Sequence, residues 1–238
     1  MGKTCPELHS LCIASSGPCA LREPAKSFHN MRRLHLGLQP EMGTRKAPAW
    51  TDAEVAALAE SCPHLIELRL EDGLNGVTGL TGAGLCGLGS LTDLSLARLP
   101  SVLSTDALLS FAKGAAALVR LDLSDCNIPG ADDVVAAVVR HCFAIEHLNM
   151  SGVKALTMDV AFQSVGCTRL RHLDVGKGRT GKASSGTGVP GICSLVKGCP
   201  LLITIRVGSS ITMDTLRTVL SRDETSAARL AYVMLHID

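Results

Sequence analysis

The feature that most constrains the fold of this chain is an apolar pattern that recurs nine times. In each block, an apolar residue is followed three and five residues later by two more. The blocks begin at Leu8, Met31, Leu65, Leu91, Leu118, Ile145, Leu170, Leu202 and Leu230, with steps of 23 to 34 residues. Because apolar residues alternate at the end of each block, the pattern predicts a β-strand with one buried and one outward face.

Between these strands the sequence predicts short amphipathic helices. Their starts are marked by threonine and aspartate, which favour helix N-termini, at Thr51-Asp52, Thr105-Asp106, Asp132-Asp133, Asp159 and Thr212 to Asp214. A strand and a helix that recur every 20–29 residues or so are typical of leucine-rich repeats. We therefore predict an α/β fold in which residues 1–238 form a single leucine-rich-repeat solenoid of about nine repeats. This would be a curved arc with parallel strands on its concave face and short helices on its convex face.

Five of the ten cysteines follow the same period. Cys5, Cys62, Cys142, Cys167 and Cys199 each lie three residues before the first apolar residue of a block. This recurrence predicts small, buried, hydrophobic side chains at one level of the fold. Disulfides and a metal site stay open as alternatives, although the chain has no C-x-x-C pair of the kind that zinc sites use.

Composition argues against several classes of partner. The 23 basic and 22 acidic residues give a net charge of +1, which does not suggest the basic surface of a nucleic-acid-binding protein. No apolar run reaches the roughly 18 residues that a membrane span needs. The first residues lack the apolar stretch of a secretory signal. We expect an intracellular protein, cytoplasmic or cytoskeletal, that binds neither nucleic acid nor membrane.

Three segments carry a resemblance to a known family. They read CPHLIELRL at 62–70, LDLSDC at 121–126 and ITMD at 211–214. They resemble the cysteine-containing leucine-rich repeats of F-box/LRR proteins, C-x-x-L-x-x-L-x-L-x-x-C followed by I-T-D and a helix. Cys126 alone occupies the position of the second cysteine. An F-box would precede the repeats, whereas the first block begins at Leu8, so the resemblance implies the ligand-binding part of that family without the F-box.

The resemblance also implies a role. F-box/LRR-like subunits without a working F-box occur in the nexin–dynein regulatory complex of motile cilia. The chain is accordingly expected to be a non-enzymatic interaction or scaffold subunit of a larger assembly, in the axoneme of a cilium or flagellum. The alternative is a substrate-recognition subunit of a cullin-type ubiquitin ligase. Because solenoids need polar caps, we expect other protein subunits to cover one or both ends.

The outward strand positions supply the candidate binding surface. They mix both charges with histidines and contain almost no aromatic residues. The expected protein-binding residues of the concave face are Arg33, His35, Glu67, Arg69, Asp93, Arg120, Asp122, His147, Asn149, His172, Asp174 and Arg206. The four arginines are the expected hot spots, since arginine is enriched at the centre of protein interfaces. The alternative is a face that is merely solvated.

Two loop insertions, 37–50 and 176–188, supply a second candidate surface. Insertions in repeat proteins often lie on a binding face. The expected contact residues of these edge loops are Arg45, Lys46, Trp50, Lys177, Arg179 and Lys182.

The second loop also bears on nucleotide binding and catalysis. Gly176, Gly181 and Lys182 match a phosphate-binding G-x-x-x-x-G-K, but Ala183 stands where magnesium needs Ser or Thr. We therefore expect no cofactor, no small-molecule substrate and no catalytic residue. A metal site or an acid–base pair built from His147, His172 and Asp174 remains open as an alternative.

Overall fold

The protein contains a single parallel β-sheet whose strand order follows the chain. The computed structural model describes residues 7–15, 29–38, 51–71, 79–99, 101–154, 156, 168–177, 195–196, 198–208 and 234–237. Its strands are β1 (Ser10–Ser15), β2 (Arg33–Leu38), β3 (Glu67–Glu71), β4 (Asp93–Ser95), β5 (Arg120–Asp122), β6 (His147–Asn149), β7 (His172–Val175), β8 (Thr204–Val207) and β9 (Met234–Ile237). Each strand pairs in parallel with the next. The predicted α/β class and parallel strands are confirmed.

The buried face of the sheet is a ladder of leucines in register. Leu68, Leu94, Leu121, Leu148 and Leu173 lie opposite one another on five neighbouring strands. None is more than 3% exposed, and all belong to one hydrophobic cluster that also contains residues of the helices. The inward positions that the alternating pattern predicts are therefore confirmed on these strands.

Short helices lie between the strands. Those whose bounds lie within the described residues are α1 (Asp52–Ser61), a 3-10 helix (Ala83–Gly87), α2 (Thr105–Gly114) and α3 (Ala131–His141). The start of α1 agrees with the sequence: Thr51 and Glu54 bond each other's backbone N–H in a capping box. Within the described part of the chain, no helix has the length and apolarity to cross a membrane. The helix starts predicted at Asp159 and at 212–214 lie outside the described residues.

The first residue of α1 fastens this helix to the next segment of the chain. The Asp52 carboxylate accepts hydrogen bonds from the backbone N–H groups of Thr81 at 3.0 Å, Gly82 at 2.9 Å and Gly84 at 3.2 Å. It also accepts a bond of 2.7 Å from the Thr81 hydroxyl. Because these bonds are charge-assisted and span about 30 residues of sequence, they fix the position of the 3-10 helix against α1.

The recurring cysteines occupy the core. Cys62, Cys142 and Cys199 are at most 3% exposed, which confirms the predicted burial for these three; Cys5 and Cys167 lie outside the described residues. Burial raises the pKa of Cys142 to about 12 and that of Cys126 to about 12. Such thiols stay protonated at neutral pH and are therefore poor nucleophiles.

Two strand boundaries differ from the prediction. Gly37 and Leu38 belong to β2, not to the predicted insertion at 37–50, because they pair with Ala14 and Ser15 of β1. The remainder of that insertion lies outside the described residues.

The other difference concerns the register of β9. The block at Leu230 predicts a register in which the residues two positions earlier lie opposite those of β8. The pairing partner determines the observed register, since Met234 lies opposite Thr204 of β8 and His236 lies opposite Arg206. Met234 and His236 therefore lie in the outward positions beside β8, where the block at Leu230 would place the residues two positions earlier.

Candidate functional site

The residues between the buried leucines form the second face of the sheet, here called the open face. Strand pairing aligns them in two rows. The first row contains Arg33, Glu67, Asp93, Arg120, His147, His172, Thr204 and Met234. The second row contains His35, Arg69, Ser95, Asp122, Asn149, Asp174, Arg206 and His236. The structure thus brings every residue predicted for the concave face onto one surface.

Two adjacent cavities lie on the open face. The larger, of about 570 Å³, extends over β3 to β9 and has leucines of the ladder at its floor. The smaller, of about 280 Å³, lies toward the ends of the strands. Five residues line both cavities: Glu71, Asp122, Asn149, Asp174 and Arg206. These five residues are therefore reachable from either cavity.

At the β2–β3 end of the face, one carboxylate holds three basic side chains. Glu67 lies 2.8 Å from Nε2 of His35, 2.9 Å from Nε of Arg69 and 3.6 Å from Nε of Arg33. The Glu67 side chain is 16% exposed, because these neighbours cover it. The predicted binding residue Glu67 therefore positions basic groups and presents little surface of its own.

Asp93 also presents little surface on the open face. This residue is only 8% exposed, although it lines the larger cavity. Its carboxylate pairs with Nε of Arg120 from the next strand and accepts a hydrogen bond of 2.8 Å from the Thr92 hydroxyl. The pair holds the Arg120 guanidinium, whose side chain is 54% exposed, in a fixed place on the face.

We expect Arg120→Ala to lower the free energy of unfolding by about 1–2 kcal/mol, between the values for an exposed ion pair and for a buried polar group left unpaired. The reason is that the largely buried Asp93 carboxylate loses its cation. Urea denaturation measures the change.

The double variant Asp93→Ala/Arg120→Ala is the control for that experiment. It removes both partners, so its cost should be smaller than the sum of the two single costs. Additive costs would show that the pair does not couple the two strands.

The ends of β5, β6 and β7 share a turn that the sequence analysis missed. Asp122, Asn149 and Asp174 each accept a hydrogen bond from the backbone N–H two residues later, at 2.9, 3.1 and 3.0 Å. These are Asx turns, which fix the side-chain rotamer. The signal was present, since all three residues stand two positions before a Ser or Gly.

Two histidines meet at the centre of the first row. The rings of His147 and His172 stack with centroids 4.4 Å apart and planes 14° from parallel. Burial, the neighbouring His172 and the Arg120 charge lower the pKa of His147, so this ring is neutral at pH 7. Nδ1 of His172 lies 2.5 Å from the Thr204 hydroxyl. The two rings do approach each other, but no group of three or more metal-binding side chains occurs among the described residues.

Most of the predicted edge-loop contacts lie outside the described residues. Lys177 follows β7, is partly buried and lines the smaller cavity. Arg45, Lys46, Trp50, Arg179 and Lys182 lie outside the described residues, as do Gly181 and Ala183 of the partial phosphate-binding motif.

No protein-family model and no curated protein matches this chain.

Proposed function

We propose that this chain is a leucine-rich-repeat solenoid that acts as a non-enzymatic interaction subunit, with the open face of the sheet as its binding surface. The observation that carries the proposal is the alignment of outward side chains, all polar from β2 to β8, in two continuous rows across the sheet. Each row extends across successive strands. Repeat proteins bind their partners on extended surfaces of this kind.

Contacts outside the strands support the solenoid. The N–H groups of Leu96, Leu123 and Met150 each donate to the carbonyl at the same place in the next block, at 2.8–2.9 Å. The backbone adopts positive φ at Arg98, Asp125 and Gly152, each five residues after its strand begins. Identical contacts between successive blocks are what a stack of repeated units requires.

The arginines of the face support its use in binding. The side chains of Arg33, Arg69, Arg120 and Arg206 are 44–60% exposed, and each guanidinium has a carboxylate within ion-pair distance. A held guanidinium loses less conformational entropy when a partner binds. Arginine is also among the residues that contribute most at protein interfaces.

The proposal extends to the kind of assembly. On the resemblance of its blocks to F-box/LRR-like repeats, we place the chain in an intracellular complex of the nexin–dynein regulatory type, in the axoneme of a cilium or flagellum. The competing role is substrate recognition for a cullin-type ubiquitin ligase, and the two roles require different partners.

Affinity purification of the tagged full-length protein from its own cells, with partners identified by mass spectrometry, tests this proposal. The wild type is compared with the open-face variant Arg69→Ala/Arg206→Ala and with Arg140→Ala. Arg140 is an exposed arginine in the last turn of α3, so it controls for the loss of an arginine elsewhere.

We expect axonemal regulatory subunits with the wild type and with Arg140→Ala, and several-fold less of them with the open-face variant. Recovery of a cullin and its adaptor would instead support the ubiquitin role. Equal recovery with all three proteins would contradict the assignment of the open face as the binding surface.

A further inference from the structure

Ion pairs account for all but one of the acidic and arginine side chains around the larger cavity. Three arginines and four carboxylates line it: Arg69, Arg120, Arg206, Glu71, Asp93, Asp122 and Asp174. Arg69 pairs with Glu67 at 2.9 Å, Arg98 with Glu71 at 2.8 Å and Arg206 with Asp174 at 3.4 Å. Arg120 pairs with Asp93. Every arginine at the cavity thus has an acidic partner.

Asp122 is the one carboxylate of the larger cavity that takes part in none of these ion pairs. One of its oxygens accepts the Ser124 N–H at 2.9 Å, and no cation of the described residues lies within ion-pair distance. The neighbours of Asp122 in the second row, Ser95 and Asn149, carry no charge. The middle of the open face therefore has one carboxylate, reachable from both cavities, that no described cation pairs with, although Lys177 also lines the smaller cavity.

Two neighbouring groups add to this environment. The Asn149 oxygen is engaged by the N–H and the hydroxyl of Ser151, at 3.1 and 2.8 Å. Its Nδ2 group has no acceptor among the described residues and remains available to donate. The neutral ring of His147 adds no positive charge that would oppose a cation at Asp122.

From this geometry we infer that the centre of the open face binds a lysine or arginine side chain of a partner polypeptide, which pairs with Asp122 while a carbonyl of the same segment accepts from Asn149 Nδ2. The acceptor and donor stand side by side because β5 and β6 pair in register. The inference rests on the proposed function and specifies the chemistry of the partner: a polypeptide with a basic residue at the contact.

A titration of the ¹⁵N-labelled full-length protein, followed by NMR, tests the inference. The probes are an acetylated, amidated Gly-Gly-Arg-Gly-Gly peptide, its lysine counterpart and a citrulline counterpart that keeps the shape of arginine without its charge. The variant is Asp122→Asn, which keeps an oxygen for the Ser124 N–H. The control is Asp133→Asn, the same change at an exposed aspartate of α3.

We expect the basic peptides to shift the Asn149 side-chain signal saturably in the wild type and in Asp133→Asn. In Asp122→Asn, or with citrulline, binding should weaken by about fivefold, as the loss of one accessible ion pair implies. Equal affinity in the wild type and Asp122→Asn would overturn the inference, as would equal affinity for citrulline. If the peptides do not bind, but capture of the partner still depends on Arg69 and Arg206, the inference about Asp122 is wrong and the proposed function is still supported.

Discussion

Replacing Leu121 with alanine should lower the free energy of unfolding by about 2–5 kcal/mol, the range for large-to-small changes in a close-packed core. Leu121 is 3% exposed and stands between Leu94 and Leu148 in the ladder. The cavity left behind would be flanked by neighbouring blocks that are fixed by their own strands, so it could collapse only in part. Urea denaturation followed by circular dichroism measures the loss.

Phe143→Ala is the comparison for Leu121→Ala. Phe143 is an apolar side chain in the turn before β6, but it is 63% exposed. Its replacement should change stability by no more than about 0.5 kcal/mol, as for most surface positions. Similar losses for the two variants would contradict the assignment of the leucine ladder as the core.

Gly84→Ala should be almost as costly, at about 2–3 kcal/mol, because it introduces a methyl group where none fits. A Cβ atom at Gly84 would lie 2.3 Å from the backbone oxygen of Asp52 and 3.0 Å from Cβ of Val55. Backbone cannot move aside as a flexible side chain could, so the 3-10 helix must separate from α1. That separation would also strain the hydrogen bonds of the Asp52 carboxylate. Thermal or urea unfolding of the purified variant measures the effect.

The same substitution at Gly114 provides the control. Gly114 is the last residue of α2, and a Cβ atom there would have nothing within 4 Å. Gly114→Ala should therefore be neutral or stabilising by up to about 1 kcal/mol, since alanine has less backbone entropy to lose. Equal destabilisation by the two variants would show that the close approach at Gly84 is not the cause.

The strands could be predicted because their pattern is local. Alternation of apolar residues specifies which face is buried, and the starts of eight strands agree with their blocks. The ninth fits the pattern in two ways, from Leu230 or from Tyr232. A shift of two residues keeps the same side chains on the same face, so pairing with β8 alone distinguishes them. The sequence of the last block carries no such information.

The sequence predicted which residues lie on the open face, but not which of them are exposed and which are covered by ion-pair partners. The outward positions follow from the strand pattern, and the structure places all of them on one face. The burial of Asp93 depends on Arg120, which lies 27 residues later and reaches back across the strand pair. Glu67 is likewise covered by side chains from its own and the neighbouring strand. The pattern of a single block therefore cannot predict which carboxylate remains unpaired, because the pairing depends on side chains from neighbouring blocks.

Hydroxyl-radical footprinting of the full-length protein, free and within its purified assembly, shows whether the open face is the surface that a partner covers. Histidine and methionine side chains report on the open face through His147, His172 and the 58% exposed Met234. Phe143 reports on the turns away from that face. The account predicts that the assembly protects the histidines and Met234 and leaves Phe143 unchanged. Unchanged oxidation of the open-face residues in the assembly would contradict it.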